Sequence, residues 1–327
     1  MYYVGLFHSG KILVKMSTTD KHLHNPTFKW RFLLPQHWLT WLGLFFAALI
    51  AFVPFRIRDK VGAKIAHLLV KRNNSALKRA RLNLQHCFPE KSLEEREDIL
   101  TRCFETAVQF FLGYAGLLVR SKKHNQAKGV MIGAENLLPL LDRGEKIIAL
   151  VPHCWAIDYA AVMIAAKGYQ VSTMMKPQKK EIVDWLIHKQ RMQFGGKIYP
   201  RSAGIKPFLK SVKEGYLGYY LPDEDLGPQH SVFVPFFGET KATMKGLGKF
   251  AKLTKGVVVP MLPTYNAKNG KYELFILPAL ENFPTGDEEQ DAIAMNQAME
   301  TLIAEHPEQY MWILNLLRSR PDGSKLY

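Results

Sequence analysis

The stretch "KIIALVPHCWAIDYAAVMIA", residues 146–165, decides how the rest of the chain is read. Its first half is a short apolar, β-branched run, the pattern of a buried strand. Its second half continues to Gly168 as a helical segment, with the glycine as its stop signal. His153 stands where the apolar run ends, and Asp158 follows five residues later. In an open α/β sheet, ligands bind beyond the carboxyl ends of the strands. The expectation is therefore that the strand delivers His153 to an active edge. The first turn of the helix is expected to hold Asp158 close enough to touch it. A histidine beside a carboxylate is a general base, because the carboxylate fixes its tautomer and stabilises the imidazolium. The spacing alone is a weak signal and needs context.

The context lies on the carboxyl-terminal side. "QVSTMM", "KIYPR", "YLGYYLPDE", "GVVVPMLPTYN" and "YELFILPAL" read as strands. "KEIVDWLIHKQRMQFGG", "GIKPFLKSVKEG" and "EEQDAIAMNQAMETLIAEH" read as helices. Strand and helix alternate with short loops from about residue 126. Residues 126–327 are thus expected to form one α/β domain, a mixed sheet with helices on both faces.

Upstream the pattern differs. Residues 1–31 carry Lys11, Lys15, Lys21, Lys29 and Arg31 without a clean period, and read as a loosely attached basic tail. Met16 opens "MSTTDKHLHNP", a more usual polar start, so an upstream start codon is expected to account for residues 1–15. Residues 32–55, "FLLPQHWLTWLGLFFAALIAFVPF", contain no Lys, Arg, Asp or Glu. A bilayer span needs roughly 20 apolar residues, so this stretch is expected to be a membrane anchor helix. Trp38 and Trp41 fit the interface at one end. No small-residue cleavage site follows, which argues against a secretory signal. Residues 56–125 are expected to be a basic helical region. Arg56, Arg58, Lys60, Lys64, Lys71 and Arg72 accompany Val61, Ile65, Leu68 and Leu69 at helical spacing, the pattern of a membrane-surface helix. Ser92 and Glu95 have the capping-box spacing that opens the helix after Pro89.

Forty-four Lys and Arg against 29 Asp and Glu give a net charge of +15, which draws a protein to nucleic acid, anionic membrane or acidic partners. The chain lacks the aromatic and basic platform of single-strand binders, so nucleic acid is not expected as a partner. Three cysteines, Cys87, Cys103 and Cys154, have no CxxC spacing, which argues against a disulfide framework and a structural zinc site. Cys154 adjoins His153, but no separate base is evident for it as a thiol nucleophile.

Further candidates stand near other element ends. Arg191 opens "RMQFGG", Arg201 and Lys206 lie in "RSAGIKPF", and Asp223 and Asp225 lie in "LPDEDLG". Arginines suit a phosphate-bearing substrate, since guanidinium grips phosphate as a fork. The two aspartates are expected to pair with them and support backbone, because an adequate set of further metal ligands is lacking. Phe236 and Phe237, in "FFGETKATMKGLG", are expected either in the wall of an acyl pocket or in the core.

With these residues assembled, "VPHCWAID" resembles the HxxxxD motif of lysophospholipid and glycerolipid acyltransferases. "NLQHCFPE", "RMQFGG", "RSAGIKPF", "GYYLPDEDLGP", "FVPFFGETKAT" and "HPEQYMWIL" look like the late acyltransferases of Gram-negative lipid A biosynthesis. The resemblance runs from about residue 30 to 320. "ILNLLRSR" after the "EQY" motif looks more like the myristoyl branch than the lauroyl branch. The resemblance implies a glycerolipid acyltransferase-like fold and an acyl carrier protein thioester as donor. It implies a Kdo-lipid A precursor as acceptor, and a place at the cytoplasmic face of the bacterial inner membrane, single-pass or monotopic, among anionic lipids. In this reading His153 removes the proton from the acceptor hydroxyl and Asp158 orients it. Arg191 helps the oxyanion or grips a phosphate. Arg201, Lys206, Asp223 and Asp225 serve substrate binding, and no metal or organic cofactor is required. The alternatives are a non-catalytic basic membrane-attached binding protein and an acyl hydrolase of the same fold.

Overall fold

A computed structural model gives the fold and describes residues 20–72 and 74–327. The reading of Met16 as a start, and most of the basic tail, lie outside the described residues. Residues 20–31 are not loose. The His24 amide donates to the Ile198 carbonyl at 2.8 Å, the Tyr199 hydroxyl donates to Asp20 at 2.7 Å, and Lys29 and Arg31 both pair with Glu181.

The helices are α1 (Trp38–Ile50), α2 (Phe55–Val70), α3 (Ser75–Cys87), α4 (Leu93–Tyr114), α5 (Gly116–Val119), α6 (Lys122–Ala127), α7 (Leu138–Asp142), α8 (Ile157–Ala166), α9 (Glu181–Arg191), α10 (Lys206–Lys213), α11 (Leu247–Thr254) and α12 (Glu288–Glu305). The strands are β1 (Gly129–Ile132), β2 (Ile147–Leu150), β3 (Val171–Met175), β4 (Lys197–Pro200), β5 (Leu217–Tyr220), β6 (Ser231–Phe236), β7 (Glu239–Met244), β8 (Val257–Asn266) and β9 (Lys271–Ile276). Seven strands form one mixed sheet in the order β1-β9-β8-β2-β5-β3-β4. Every pair is parallel except β8–β9, and β6–β7 form a separate antiparallel hairpin. The central β2 and β5 are buried at every position, as continuous apolar runs in a sheet covered on two faces should be. The two covers are visible on β5. The Tyr219 hydroxyl reaches back to the Ile157 carbonyl of α8 at 2.9 Å. A Cβ added to the preceding Gly218 would lie 2.6 Å from Val212 of α10, which is why that position has no side chain.

Five elements were not evident in the sequence: β1, α7, β6, β7 and α11. The β6–β7 turn is the instructive one. Phe237 and Gly238 both take positive φ (51° and 76°), as a two-residue hairpin turn demands. A phenylalanine rarely accepts that conformation. Here its ring is held against Phe88 (4.9 Å between centroids), Phe236 and Trp312.

The expected anchor helix is corrected. Among the described residues, no helix is long and apolar enough to cross a membrane. The apolar stretch is divided by its prolines. Pro35 opens a 3-10 turn, α1 occupies 13 residues, and Pro54 caps the start of α2. At 1.5 Å per residue α1 is about 20 Å long, against a hydrocarbon core of about 30 Å. None of its residues is buried, and Trp38, Leu39, Phe45 and Phe46 are more than half exposed.

In α2 the apolar stripe faces outward: Ile57, Val61, Ile65 and Leu68 are exposed. The inward face is Asp59, Gly62, Ala66 and Val70, which packs along α4. The capping box of α4 forms as its spacing requires. The Ser92 amide donates to the Glu95 carboxylate at 2.7 Å, and the Glu95 amide to the Ser92 hydroxyl at 3.2 Å. Leu77, Leu84, Leu100 and Phe110 of the helical region share one core with the sheet.

Candidate active site

The parallel register of β2 and β5 builds the site. Leu150 lies opposite Tyr220. Three residues beyond each stand His153 and Asp223, side by side at the carboxyl edge. Asp223 is fully buried and grips His153 twice. The His153 amide donates to Oδ2 at 2.7 Å, and Nδ1 donates to Oδ1 at 2.5 Å. The Tyr310 hydroxyl donates to Oδ2 at 2.9 Å. The imidazole is therefore fixed with its proton on Nδ1, and Nε2 is the atom left to accept one. Burial pulls the His153 pKa down, but the adjoining Asp223 carboxylate outweighs it and leaves the pKa above the ordinary value. Burial acts to raise the pKa of Asp223, and the His153 charge and hydrogen bonds outweigh it, leaving it below the ordinary value.

The expected contact between Asp158 and His153 does not form. The segment between them is pinned to the carboxyl-terminal stretch: the Met311 amide donates to the His153 carbonyl at 3.0 Å, and the Trp155 amide to the Gln309 carbonyl at 3.3 Å. This turns His153 toward β5. Asp158, second residue of α8, faces α4 and α9 instead. It accepts from Arg191 Nε at 2.8 Å and from the Tyr114 hydroxyl at 2.5 Å. Burial and the Asp158 charge raise the Tyr114 pKa well above its ordinary value, so the phenol keeps the proton it donates. Tyr114 lies 2.7 Å from the Gln190 side-chain oxygen, while the Gln190 amide nitrogen is buried without a partner. Exchanging oxygen and nitrogen in that amide lets Gln190 donate to the Tyr114 hydroxyl. Asp158 also favours the positive end of the α8 dipole.

His153, Asp158, Arg191 and Arg201 line one cavity of about 790 Å³. Ile157, Ala161 and Ala165 give it one helical wall, with Val171, Ile198 and Phe208 among its other apolar residues. Its lining takes both Tyr219 and Tyr220, which point to opposite faces of the sheet, so it wraps the carboxyl edge of β5. Arg201 is half exposed and pairs with Glu224 at 3.2 Å.

The remaining expected residues fall elsewhere. Asp223 pairs with a histidine rather than an arginine. Asp225 is buried off the cavity and accepts from the Ser319 amide (2.6 Å) and hydroxyl (3.1 Å) and the Gly227 amide (2.8 Å), so it fastens the carboxyl-terminal loop. Lys206 is exposed at the start of α10 and does not line the cavity. Phe236 is in the core and Phe237 packs on Phe88 and Trp312, so neither walls the cavity. Cys154 is fully buried beside Leu262 and Leu302, and burial drives its thiol pKa well above the ordinary range, which removes it as a nucleophile. Among the described residues no group of three His, Cys, Asp or Glu is placed to hold a metal. Tyr114 and Tyr310 are supporting residues that sequence reasoning missed. Tyr114 had no local signal, whereas Tyr310 lies in the "HPEQYMWIL" motif.

Comparison with known proteins places this site in a family. The family model described as bacterial lipid A biosynthesis acyltransferase matches residues 25–319. A lipid A biosynthesis acyltransferase of Haemophilus influenzae is 46% identical over 300 residues, covering 92% of this chain and 94% of the relative. The lipid A biosynthesis myristoyltransferase of Escherichia coli is 38% identical, covering 91% and 92%. The Escherichia coli lauroyltransferase is more distant at 29%, covering 91% and 97%. The family model spans most of the chain, His153 and Asp223 included, and the chain is therefore a member of the bacterial lipid A biosynthesis acyltransferases.

Proposed function

We propose that this enzyme transfers a myristoyl group from an acyl carrier protein thioester to the hydroxyl of a hydroxyacyl chain on a Kdo-lipid A precursor. The observation that carries the chemistry is the His153–Asp223 pair opening onto a largely apolar cavity. Nε2 of His153 takes the proton of the acceptor hydroxyl. The alkoxide oxygen attacks the thioester carbonyl, and the tetrahedral oxyanion collapses with loss of the carrier thiolate, which takes up a proton. Asp223 orients His153 and balances the imidazolium. Arg191, held by Asp158, supplies positive charge for the oxyanion or for a lipid phosphate, and Arg201 at the rim serves a second phosphate. Greater identity to the myristoyltransferase than to the lauroyltransferase supports the chain length.

The enzyme sits on the cytoplasmic leaflet of the inner membrane in this reading. The exposed apolar faces of α1 and α2 enter the leaflet, and the exposed Arg56, Lys60, Lys64, Lys71 and Arg72 meet anionic headgroups. The net charge of +15 also suits an acidic carrier protein.

The test presents purified protein with acyl carrier proteins bearing different chains, with and without a Kdo-lipid A precursor, and reads products by mass spectrometry. The expected result is a lipid gaining one myristoyl group. Free fatty acid formed equally without acceptor would make the protein a hydrolase, and tight lipid binding without any product would make it a binding protein.

A further inference from the structure

Lys241 is the buried charge that the chemistry above leaves unused. It lies in β7 opposite Val234, is fully inaccessible to solvent, and its Nζ has no hydrogen-bond partner. The ammonium lies over the Phe236 ring, 5.4 Å from the centroid. Such a group is costly to bury without compensating charge. The charges acting on it are Asp223, then Asp225, with the Cys87 thiol nearby. Burial drives the amine's pKa down, and the two carboxylates oppose that.

The same two carboxylates need a cation. Both are buried, and among the described residues neither forms an ion pair with lysine or arginine. When His153 is protonated, it balances Asp223. When His153 is neutral and ready to act as a base, that balance disappears. Around the imidazole stand Asp223, Glu224 and Arg201, and Arg201 is already paired with Glu224.

We propose that Lys241 is a positioning residue of the transfer reaction: its buried ammonium balances Asp223 and Asp225 while His153 is neutral, so that Asp223 remains a carboxylate and keeps Nε2 free to accept a proton. This rests on the proposed role of His153 and adds what makes that role available. It also gives the "GETKAT" stretch a purpose other than walling the cavity.

The experiment compares the pH dependence of kcat/KM for acyl transfer in the wild type, Lys241→Met and Asp223→Asn, alongside thermal melts. Loss of the nearby cation makes the His153–Asp223 pair hold its proton more tightly. The acid limb of Lys241→Met should move up by about one pH unit, a tenfold loss at fixed pH on that limb. Asp223→Asn should move it down. A folded Lys241→Met with an unmoved acid limb would overturn the proposal. If Lys241→Met does not fold, the double variant with Asp225→Asn removes one charge of each sign. Recovered folding supports charge balance, and a double variant as unstable as the single overturns it. Absence of transfer by the wild type would instead defeat the proposed function.

Discussion

Two carboxylates each hold a side chain that lines the cavity, His153 for Asp223 and Arg191 for Asp158, and they are placed by different kinds of structure. Asp223 reaches His153 because two adjacent parallel strands end in register, Leu150 opposite Tyr220. Asp158 is close to His153 in sequence, yet the α8 helix carries it to Tyr114 and Arg191. The strand-end region holds a proton acceptor, while the helix region holds a fixed cation. The difference teaches that proximity along the chain identifies the residues of a site but not their pairing. Across a sheet edge, register places partners 70 residues apart in contact.

This comparison is open to test, first through the base itself. His153→Ala should lower transfer by about 10²- to 10⁴-fold with the fold retained, measured by mass-spectrometric turnover and a thermal melt. Near-full activity in a folded variant would remove the general-base assignment.

Asp223→Asn should follow, at about 10²-fold or more, because the amide cannot hold the Nδ1 proton as a carboxylate does. The pH profile sharpens the point. His153 must be neutral to act, and its folded pKa is raised, so kcat/KM of the wild type should rise with pH through a value above about 6.5. For stability the sign is opposite. The raised His153 contributes stability that is complete below about pH 6.5 and is lost as pH rises through the folded value. Asp223, whose pKa is depressed, contributes stability above its ordinary range and loses it as pH falls through the folded value. An acid limb that fails to move down in Asp223→Asn would dissolve the pair as a functional unit.

Asp158→Asn should act mainly through Arg191. It exchanges a charged hydrogen bond for a neutral one, costing about 1 kcal/mol of stability. The His153 titration should stay near its wild-type position, since Asp158 does not touch the imidazole. A shift in the acid limb matching that of Asp223→Asn would erase the distinction between the two regions.

The smallest effect belongs to the outer surface. Leu68→Ser on the exposed stripe of α2 should weaken binding to anionic vesicles by about tenfold, with turnover of a detergent-dispersed acceptor unchanged. Equal vesicle binding by the two proteins would take α2 out of the membrane face.

Much of this molecule was legible before its fold was known. The apolar runs that became β2, β5 and β8 are readable because strands buried on two faces have few alternatives to continuous apolar sequence. The hairpin β6–β7 was not, because its turn needs positive φ at Phe237, a residue that gives no such signal and is held there by Phe88 and Trp312. The anchor was misread through length. A length of 24 residues without Lys, Arg, Asp or Glu ignores that Pro35 and Pro54 divide the stretch, and the exposed side chains then form a face instead of a span.

By itself the sequence determined the alternation of strands and helices, the basic apolar surface of the first helices, and the presence of His153 at a strand end. These follow from local properties: hydrophobic period, charge and punctuation by glycine and proline. Only the tertiary structure decided that Asp223 rather than Asp158 holds His153, that Asp225 fastens a loop, and that Lys241 is fully buried. Each of those facts depends on which strand lies beside which. That order is fixed by long-range packing of the whole sheet, and no short stretch of the chain contains it.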